Sequence, residues 1–379
     1  MSILNSDDLK PFADLARSFA ARELAGKVAE HDRYPFGRFY EEVLAKLHDV
    51  GFLNAVLPIE LGGTDFGIEA LCAILENISE VDASPAGIIY TQALSQKILM
   101  AAGAGKLAAS LSKAGTAMKT ILIAFPVYID PASTDTLPTA QITGGGYTLA
   151  GRIELLVPGN LTPHAVIPAR TGRGPDYSFF LVDLDGKGVE ISDPVFSLGL
   201  HACPAVDVTF GGAGAQLVGE ENAGAAYFAQ VLPQMSAVAT AIISGILRGT
   251  YCEALAYAQK REQGGRPIVQ WSEVTMMLAN LSIKADVAAM CVCQSCRELR
   301  QKQNGYESRI SAATLHIAEL ACEATTDGIQ ILGGYGYMKD YGQEKRYRDA
   351  RMVQALLGSV PMKKLARIRC IPEVGTNTA

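Results

Sequence analysis

The sequence predicts an α+β chain in three zones: an N-terminal helical domain over residues 1–117, a middle domain of antiparallel strands over 118–222, and a C-terminal four-helix-bundle domain over 223–379. Three observations carry this. In the first and last zones apolar residues recur at three- and four-residue steps. Between them, short β-branched and aromatic runs alternate with turn residues, the pattern of a small barrel or sandwich. Of 379 residues, 49% are hydrophobic and 19% charged, which supplies a large core and argues against disorder.

The first zone begins with Leu9, Phe12, Leu15 and Phe19 on one helical face. Phe39, Val43, Leu47 and Val50 form a second face, which Gly51 ends. Leu57-Pro58 and Gly62-Gly63 mark turns. In the middle zone, 121–125, 147–157, 165–170, 177–184, 189–191 and 206–210 read as strands, with turns at Gly144-Gly145-Gly146, 171–176 and 185–188. The third zone opens with a helix over 237–259 that carries few charges and is therefore buried on most sides. Helices over 271–300 and 311–332 follow, the latter ended by Gly333-Gly334. A last helix starts after Gly358 and runs through Leu365. A ligand is expected where the strands meet the bundle, because clefts favour domain interfaces.

Charge and composition exclude several classes. A net charge of −6 argues against nucleic acid as a partner, although a local basic cluster still suits a small polyanion. Residues 1–12 carry acids and no basic stretch before an apolar run, so no signal peptide is expected. The most apolar run, 237–247, is about half the length of a membrane span and ends at Arg248, so no span is expected either. The expectation is a soluble, cytoplasmic protein. Of the eight cysteines only Cys291, Cys293 and Cys296 cluster. Their spacing fits no closed zinc site and no histidine lies near, so they read as core residues, with no metal site.

Several motifs resemble those of acyl-CoA dehydrogenases along nearly the whole chain. Pro58-Ile59-Glu60-Leu61-Gly62-Gly63 is similar to the family's P-x-E-x-G-G turn. Gly199-Leu200-His201-Ala202-Cys203 resembles G-x-R-x-S, with His201 and Cys203 in place of Arg and Ser. Leu217-Val218-Gly219-Glu220 resembles L-L-G-E, and the segment from Lys260 through Arg261 to Ile268 resembles x-R-x-x-F-G-x-x-I. The most specific match is Gln330-Ile331-Leu332-Gly333-Gly334-Tyr335-Gly336-Tyr337, followed by Tyr347-Arg348-Asp349-Ala350-Arg351. The resemblance implies a helical–β–helical flavoprotein. It implies FAD contacts at Arg261, Gln330, Ile331, Gly333, Gly334 and Ser359, with the Arg261 fork on the pyrophosphate. It also implies an acyl-CoA thioester as substrate.

The catalytic positions depart from the family. Its base is a Glu nine residues after the Arg of R-D-A, where this chain has Leu357. A second branch carries its Glu where this chain has Met235. Neither side chain accepts a proton, so no catalytic residue is expected at either position. The Leu357 N–H remains available in principle for a thioester carbonyl. Glu262, beside Arg261, is poorly placed as a base. The family's T-E-P loop corresponds to Ala124-Phe125-Pro126 and then to Asp130-Pro131-Ala132-Ser133-Thr134, and its W-I-T strand to Leu155-Leu156-Val157. Gly264 and Ser272 replace the family's Phe and Gln, and Pro233-Gln234-Met235-Ser236 replaces the CoA-contacting D-x-x-R.

In the family two subunits share each FAD. This chain has lost most of what one subunit provides and kept much of what the other provides. The resemblance therefore implies a degenerate subunit that completes a partner's site in α,β-desaturation of an acyl-CoA, in a homo- or hetero-oligomer with an acyl-CoA dehydrogenase paralogue. The alternatives are an active dehydrogenase with a displaced base, and a flavin-dependent hydroxylase on the same fold.

Overall fold

Helix α4 (Gly67–Val81) and helix α7 (Gly224–Lys260) touch backbone to backbone. A Cβ at Gly245 would lie 2.3 Å from the Glu76 carbonyl oxygen, and one at Gly249 would lie 2.3 Å from that of Glu80. Two glycines four residues apart share one helix face, so the two axes approach more closely than side chains allow. Beside this seam, Arg248 reaches Glu80 at 2.6 Å and Glu76 at 3.3 Å, and Ser244 Oγ donates to Glu76 at 2.7 Å.

The structure, a computed structural model, describes residues 8–34, 41–113, 123–159 and 161–369. Phe39, the first two residues of the strand expected over 121–125, the expected boundary between residues 117 and 118, and Cys370 lie outside these. Before α4 come α1 (Lys10–Phe19), the short α2 (Val28–His31) and α3 (Glu41–Asp49). Gly51 follows α3 with φ +80°, the left-handed turn expected of a helix stop. After α4 come α5 (Ala83–Ala101) and α6 (Gly105–Lys113). Helix α5 is buried along nearly its whole length, and Asp82 caps it by accepting the Ser84 N–H at 2.9 Å.

The strands are β1 (Ile123–Ala124), β2 (Thr139–Thr143), β3 (Gly146–Leu156), β4 (His164–Ala169), β5 (Ser178–Asp183), β6 (Val189–Ile191) and β7 (Val206–Val218). They form one sheet in the order β1-β4-β5-β7-β3-β2, with β6 also on β7. The expected antiparallel pattern holds for every pair but β1–β4, which is parallel, so the sheet is mixed. The end strand β2 meets the segment that follows β4, next to the other end: Ala140 N–H donates to the Arg170 carbonyl at 2.7 Å, and Arg170 N–H donates to Pro138 at 2.9 Å. The sheet thus curls into a small barrel around Leu149, Ile153, Phe180, Val182, Val208 and Phe210. Strand β2 escapes the sequence pattern because Gln141 and Thr143 dilute its apolar signal.

The remaining elements are the hairpin β8 (Glu262–Gln263) and β9 (Arg266–Pro267), then α8 (Ser272–Gln301), α9 (Tyr306–Leu332), α10 (Gln343–Val353) and α11 (Val360–Arg369). Helix α7 begins thirteen residues before the expected 237, because Gln230, Pro233, Gln234 and Ser236 blur its period. Helix α10 has no apolar stripe. Its inward face carries Gln343, Lys345 and Asp349 beside Ala350 and Val353, with Lys345 and Asp349 joined in an ion pair. By length and composition alone, α7 and α8 could each cross a membrane. The most apolar window of α7 is 78% buried inside the fold, and that of α8 is 22% buried. Cys296 is buried, whereas Cys291 and Cys293 are only half-buried on α8, short of the core placement expected.

Candidate active site

Two separate places gather the residues expected to carry function. The first is a surface groove between the β8–β9 hairpin and the end of α9. Arg261, Gln330, Ile331, Gly333 and Gly334 all line it, with Tyr257, Trp271 and Tyr335. The hairpin turn is made by Gly264 and Gly265, at φ +64° and +81°. A Cβ at Gly264 would stand 2.8 Å from the Trp271 ring, so the space a side chain would fill there belongs to the indole. Trp271 Nε1 donates to the Gln263 carbonyl at 3.2 Å, and the Arg266 guanidinium stacks 3.7 Å above the ring. Arg261 is held through its backbone, its N–H on Tyr257 at 2.8 Å. Its guanidinium lies 5.8 Å from the Tyr335 ring and pairs with no carboxylate among the described residues. Gly333, at φ +58°, ends α9 with open space where a Cβ would point. An accessible planar cation beside a bare backbone turn is a physical fit for a pyrophosphate.

The second place is a cavity of about 130 Å³ under α11, bounded by α7, α9 and the segment after β1. Leu357 lines it, together with Leu232, Ile243 and Leu356. Met235 does not: it is fully buried and belongs to the core. Three ionisable side chains reach this cavity: Asp130, Glu307 and Lys363. Lys363 Nζ donates to the Gln354 carbonyl at 2.9 Å. Burial pushes its ammonium down to about 8, with the Asp130 carboxylate opposing the shift. Ser359 is exposed beside α11, apart from the groove that holds the other expected cofactor residues.

The Leu357 N–H is not available. At φ +61° the residue turns this group onto the Val127 carbonyl, 2.5 Å away. An incoming carbonyl would have to displace that bond. The adjoining Gly358, at φ +107°, sits against Asp130, whose Cβ would be 2.9 Å from a side chain there.

Of the positions expected to face the isoalloxazine, Ala132 is exposed and Ser133, Thr134 and Leu155 are half-buried. Phe125, Leu156 and Val157 are fully buried. Thr91 Oγ1 lies 3.2 Å from the Phe125 carbonyl and 3.0 Å from that of Val157, and the Phe125 ring packs against Phe179 and Phe228. These three hydrocarbon side chains offer no hydrogen bond to a flavin ring.

Two family models match the sequence: the acyl-CoA dehydrogenase N-terminal domain over residues 6–110 and the C-terminal domain over 222–365. The chain belongs to the acyl-CoA dehydrogenase family. FAD is the family's cofactor. Among its relatives, cyclohex-1-ene-1-carbonyl-CoA dehydrogenase of Syntrophus aciditrophicus is 25% identical, covering 97% of this chain and 90% of the relative. The caffeyl-CoA reductase-Etf complex subunit CarC of Acetobacterium woodii is 27% identical, covering 95% and 97%. Family relatives thus act as CoA-thioester dehydrogenases and reductases. In fold, butyryl-CoA dehydrogenase from Megasphaera elsdenii superposes with a TM-score of 0.86 at 21% identity, covering 97% of this chain and 98% of that one.

Within this family member the R-D-A-R motif has a mechanical role. Arg348 pairs with Asp32 and, at 2.7 Å, with Glu344. Asp349 accepts the Leu200 N–H at 2.7 Å and the Lys345 ammonium at 2.5 Å, and Lys345 also reaches Asp82 at 2.7 Å. Gly199 is required here, because a Cβ would be 2.6 Å from the Arg348 backbone. His201, where the family has Arg, lies 3.0 Å from Asp32. Burial alone would raise the Asp32 carboxyl, but hydrogen bonds from His201 and Arg348 outweigh it and hold the group well below the usual range. The motif therefore ties α10 to the loop before β7 and to the end of α2. Sequence reasoning missed Lys363, because it reads as part of a solvated basic face with Lys364, Arg367 and Arg369. It also missed Trp271, whose role follows only from its place over Gly264.

Proposed function

We propose that this chain is an acyl-CoA dehydrogenase-family flavoprotein subunit that completes a partner's site in FAD-dependent α,β-desaturation of an acyl-CoA thioester. One observation carries the proposal. Arg261, Gln330, Gly333 and Gly334 form an open groove with an accessible cation, while Phe125, Leu156 and Val157 among the flavin positions, and Leu357 and Met235 at the base positions, are buried hydrocarbon. FAD, when bound, accepts the β-hydrogen of the substrate as hydride. This chain's part is electrostatic and positional: Arg261 neutralises the pyrophosphate, Gln330 supplies a side-chain amide, and Gly333-Gly334 let the cofactor backbone approach. Leu357 cannot take the α-proton. A relative that is a subunit of an Etf complex supports work inside a larger assembly.

The test is visible absorbance of the purified chain, alone and after mixing with a paralogue that carries the base Glu. The expected result is little flavin alone and retained flavin with desaturation after mixing. Stoichiometric flavin and full turnover by the chain alone would overturn the proposal. Such turnover would favour a second reading, a displaced base, for which Lys363 is the candidate: it lines the same cavity as Leu357 and titrates near about 8.

A further inference from the structure

Lys345 shows how this fold keeps a buried ammonium: between two carboxylates, Asp82 at 2.7 Å and Asp349 at 2.5 Å. Lys363 is kept differently. It is half-buried on α11, reaches the cavity that Leu357 lines, and forms an ion pair with no carboxylate among the described residues. One hydrogen bond holds it, to the Gln354 carbonyl at 2.9 Å. Of the two acids that also line the cavity, Asp130 accepts the Ala132 N–H at 2.9 Å and Glu307 is exposed. The other walls are largely hydrocarbon, among them Leu232, Ile243 and Leu356.

An ammonium with three donors and one acceptor, set in hydrocarbon, loses its proton readily. Burial brings Lys363 down to about 8, so about one chain in ten carries the free amine at pH 7, against about one in 2,500 for an unperturbed lysine. A desolvated lysine amine is a nucleophile toward a carbonyl carbon, and desaturation uses no such group. A thioester entering this cavity meets hydrocarbon at Leu357, and the Leu357 N–H is already bound to the Val127 carbonyl. The amine is then the reactive group within the cavity that its carbonyl carbon can meet.

We propose that Lys363 is an acylation site, whose Nζ takes the acyl group of a short-chain acyl-CoA thioester bound in the cavity. The Nζ lone pair attacks the thioester carbonyl carbon, the C–N bond forms and the C–S bond breaks. Sulfur leaves with the bonding pair and takes up the proton that nitrogen loses, so the products are an amide and the CoA thiol. Nothing is oxidised or reduced. The proposal rests on the proposed function for its substrate class alone, and needs neither flavin nor a partner. The amide carries no charge, so acylation also removes a buried cation from the fold.

The test incubates the full-length chain, without partner or added FAD, with butyryl-CoA from pH 6 to 10 and maps the modified lysines by peptide mass spectrometry. Lys363 is expected to be butyrylated at least about tenfold faster at pH 7 than the exposed Lys364 beside it, with a rate that levels off above about pH 8. Lys363→Arg keeps a cation and removes the nucleophile, and is expected to leave only slow surface labelling. The butyrylated chain is expected to have a higher Tm at pH 7 than the unmodified one. Equal labelling of Lys363 and Lys364 overturns the proposal. Calorimetry with S-butyl-CoA, a thioether that cannot transfer its chain, separates the two readings. Binding of S-butyl-CoA with no butyryl group on Lys363 overturns the acylation site and leaves the proposed function standing. No binding, even by the chain mixed with a paralogue that carries the base Glu, overturns both.

Discussion

Replacing Leu357 by Glu separates a missing base from a missing flavin side. Leu357 is 6% exposed and lines the cavity under α11, so a Glu there enters the same space. A base within reach of its proton is worth about 10²–10⁴-fold. If loss of the base were the only defect, Leu357→Glu should raise desaturation by that factor in the chain alone. The closed positions at Phe125, Leu156 and Val157 predict a gain below about tenfold, because they remain hydrocarbon in the variant. Burial and the nearby Asp130 would favour the protonated form of the new carboxyl, while Lys363 opposes this, so the assay must extend to pH 9. It follows reduction of an artificial electron acceptor with added FAD and a panel of acyl-CoAs. A rise of about 100-fold or more at any pH would refute the partner-subunit proposal.

Four further outcomes follow from particular contacts. Arg261→Ala should weaken flavin retention in the mixed oligomer at least about tenfold, read by filtration and absorbance; equal retention would remove Arg261 from the pyrophosphate site. Lys345→Met leaves the buried carboxylates Asp82 and Asp349 without their cation and should cost about 3–5 kcal/mol in urea unfolding, whereas a loss under about 1 kcal/mol would show that the network contributes little. The Asp32 carboxyl is depressed in the fold, so its contribution is present above the unfolded value of about 3.9 and disappears as pH falls through the folded value. Asp32→Asn should therefore lower Tm at pH 7 and converge on wild type in strong acid. Lys363 is also depressed, and for a cation the sign reverses: the fold is penalised at pH below about 8, and stability recovers as pH rises toward the unfolded lysine value of about 10.4. Lys363→Met should be more stable than wild type at pH 7 and lack that rise.

Much of the fold was legible because its cause is periodic. The α9 boundary at Gly333, the stop at Gly51 and the strand over 189–191 each follow from a local rule that the structure obeys. Elements set by distant partners were not legible. Helix α10 turns Lys345 and Asp349 inward, and polar residues read as surface until Asp82 is seen beside them. Strand β2 gains its place from a bridge to Arg170, thirty residues on. The candidate site divides the same way. The motifs that resemble the family's pointed to Arg261 and Gly333, and the fold brings both to one groove.

The same division explains why a matched motif is weaker evidence than an accessible one. Arg348-Asp349-Ala350-Arg351 is among the most specific family matches in the chain, yet its first two members are committed to Asp32, Glu344, Leu200 and Lys345 and hold three parts of the fold together. Arg261 sits in a looser match, with Gly264 where the family has an aromatic, and its guanidinium is the one that faces open space. The Trp271 ring, from seven residues further along, lies beside Gly264. A charged side chain binds a ligand only if the fold has not already spent its hydrogen bonds, and that depends on residues far away in sequence. By this criterion Arg261 is free to meet a ligand and Arg348 is a strut, although the sequence ranks them in the opposite order.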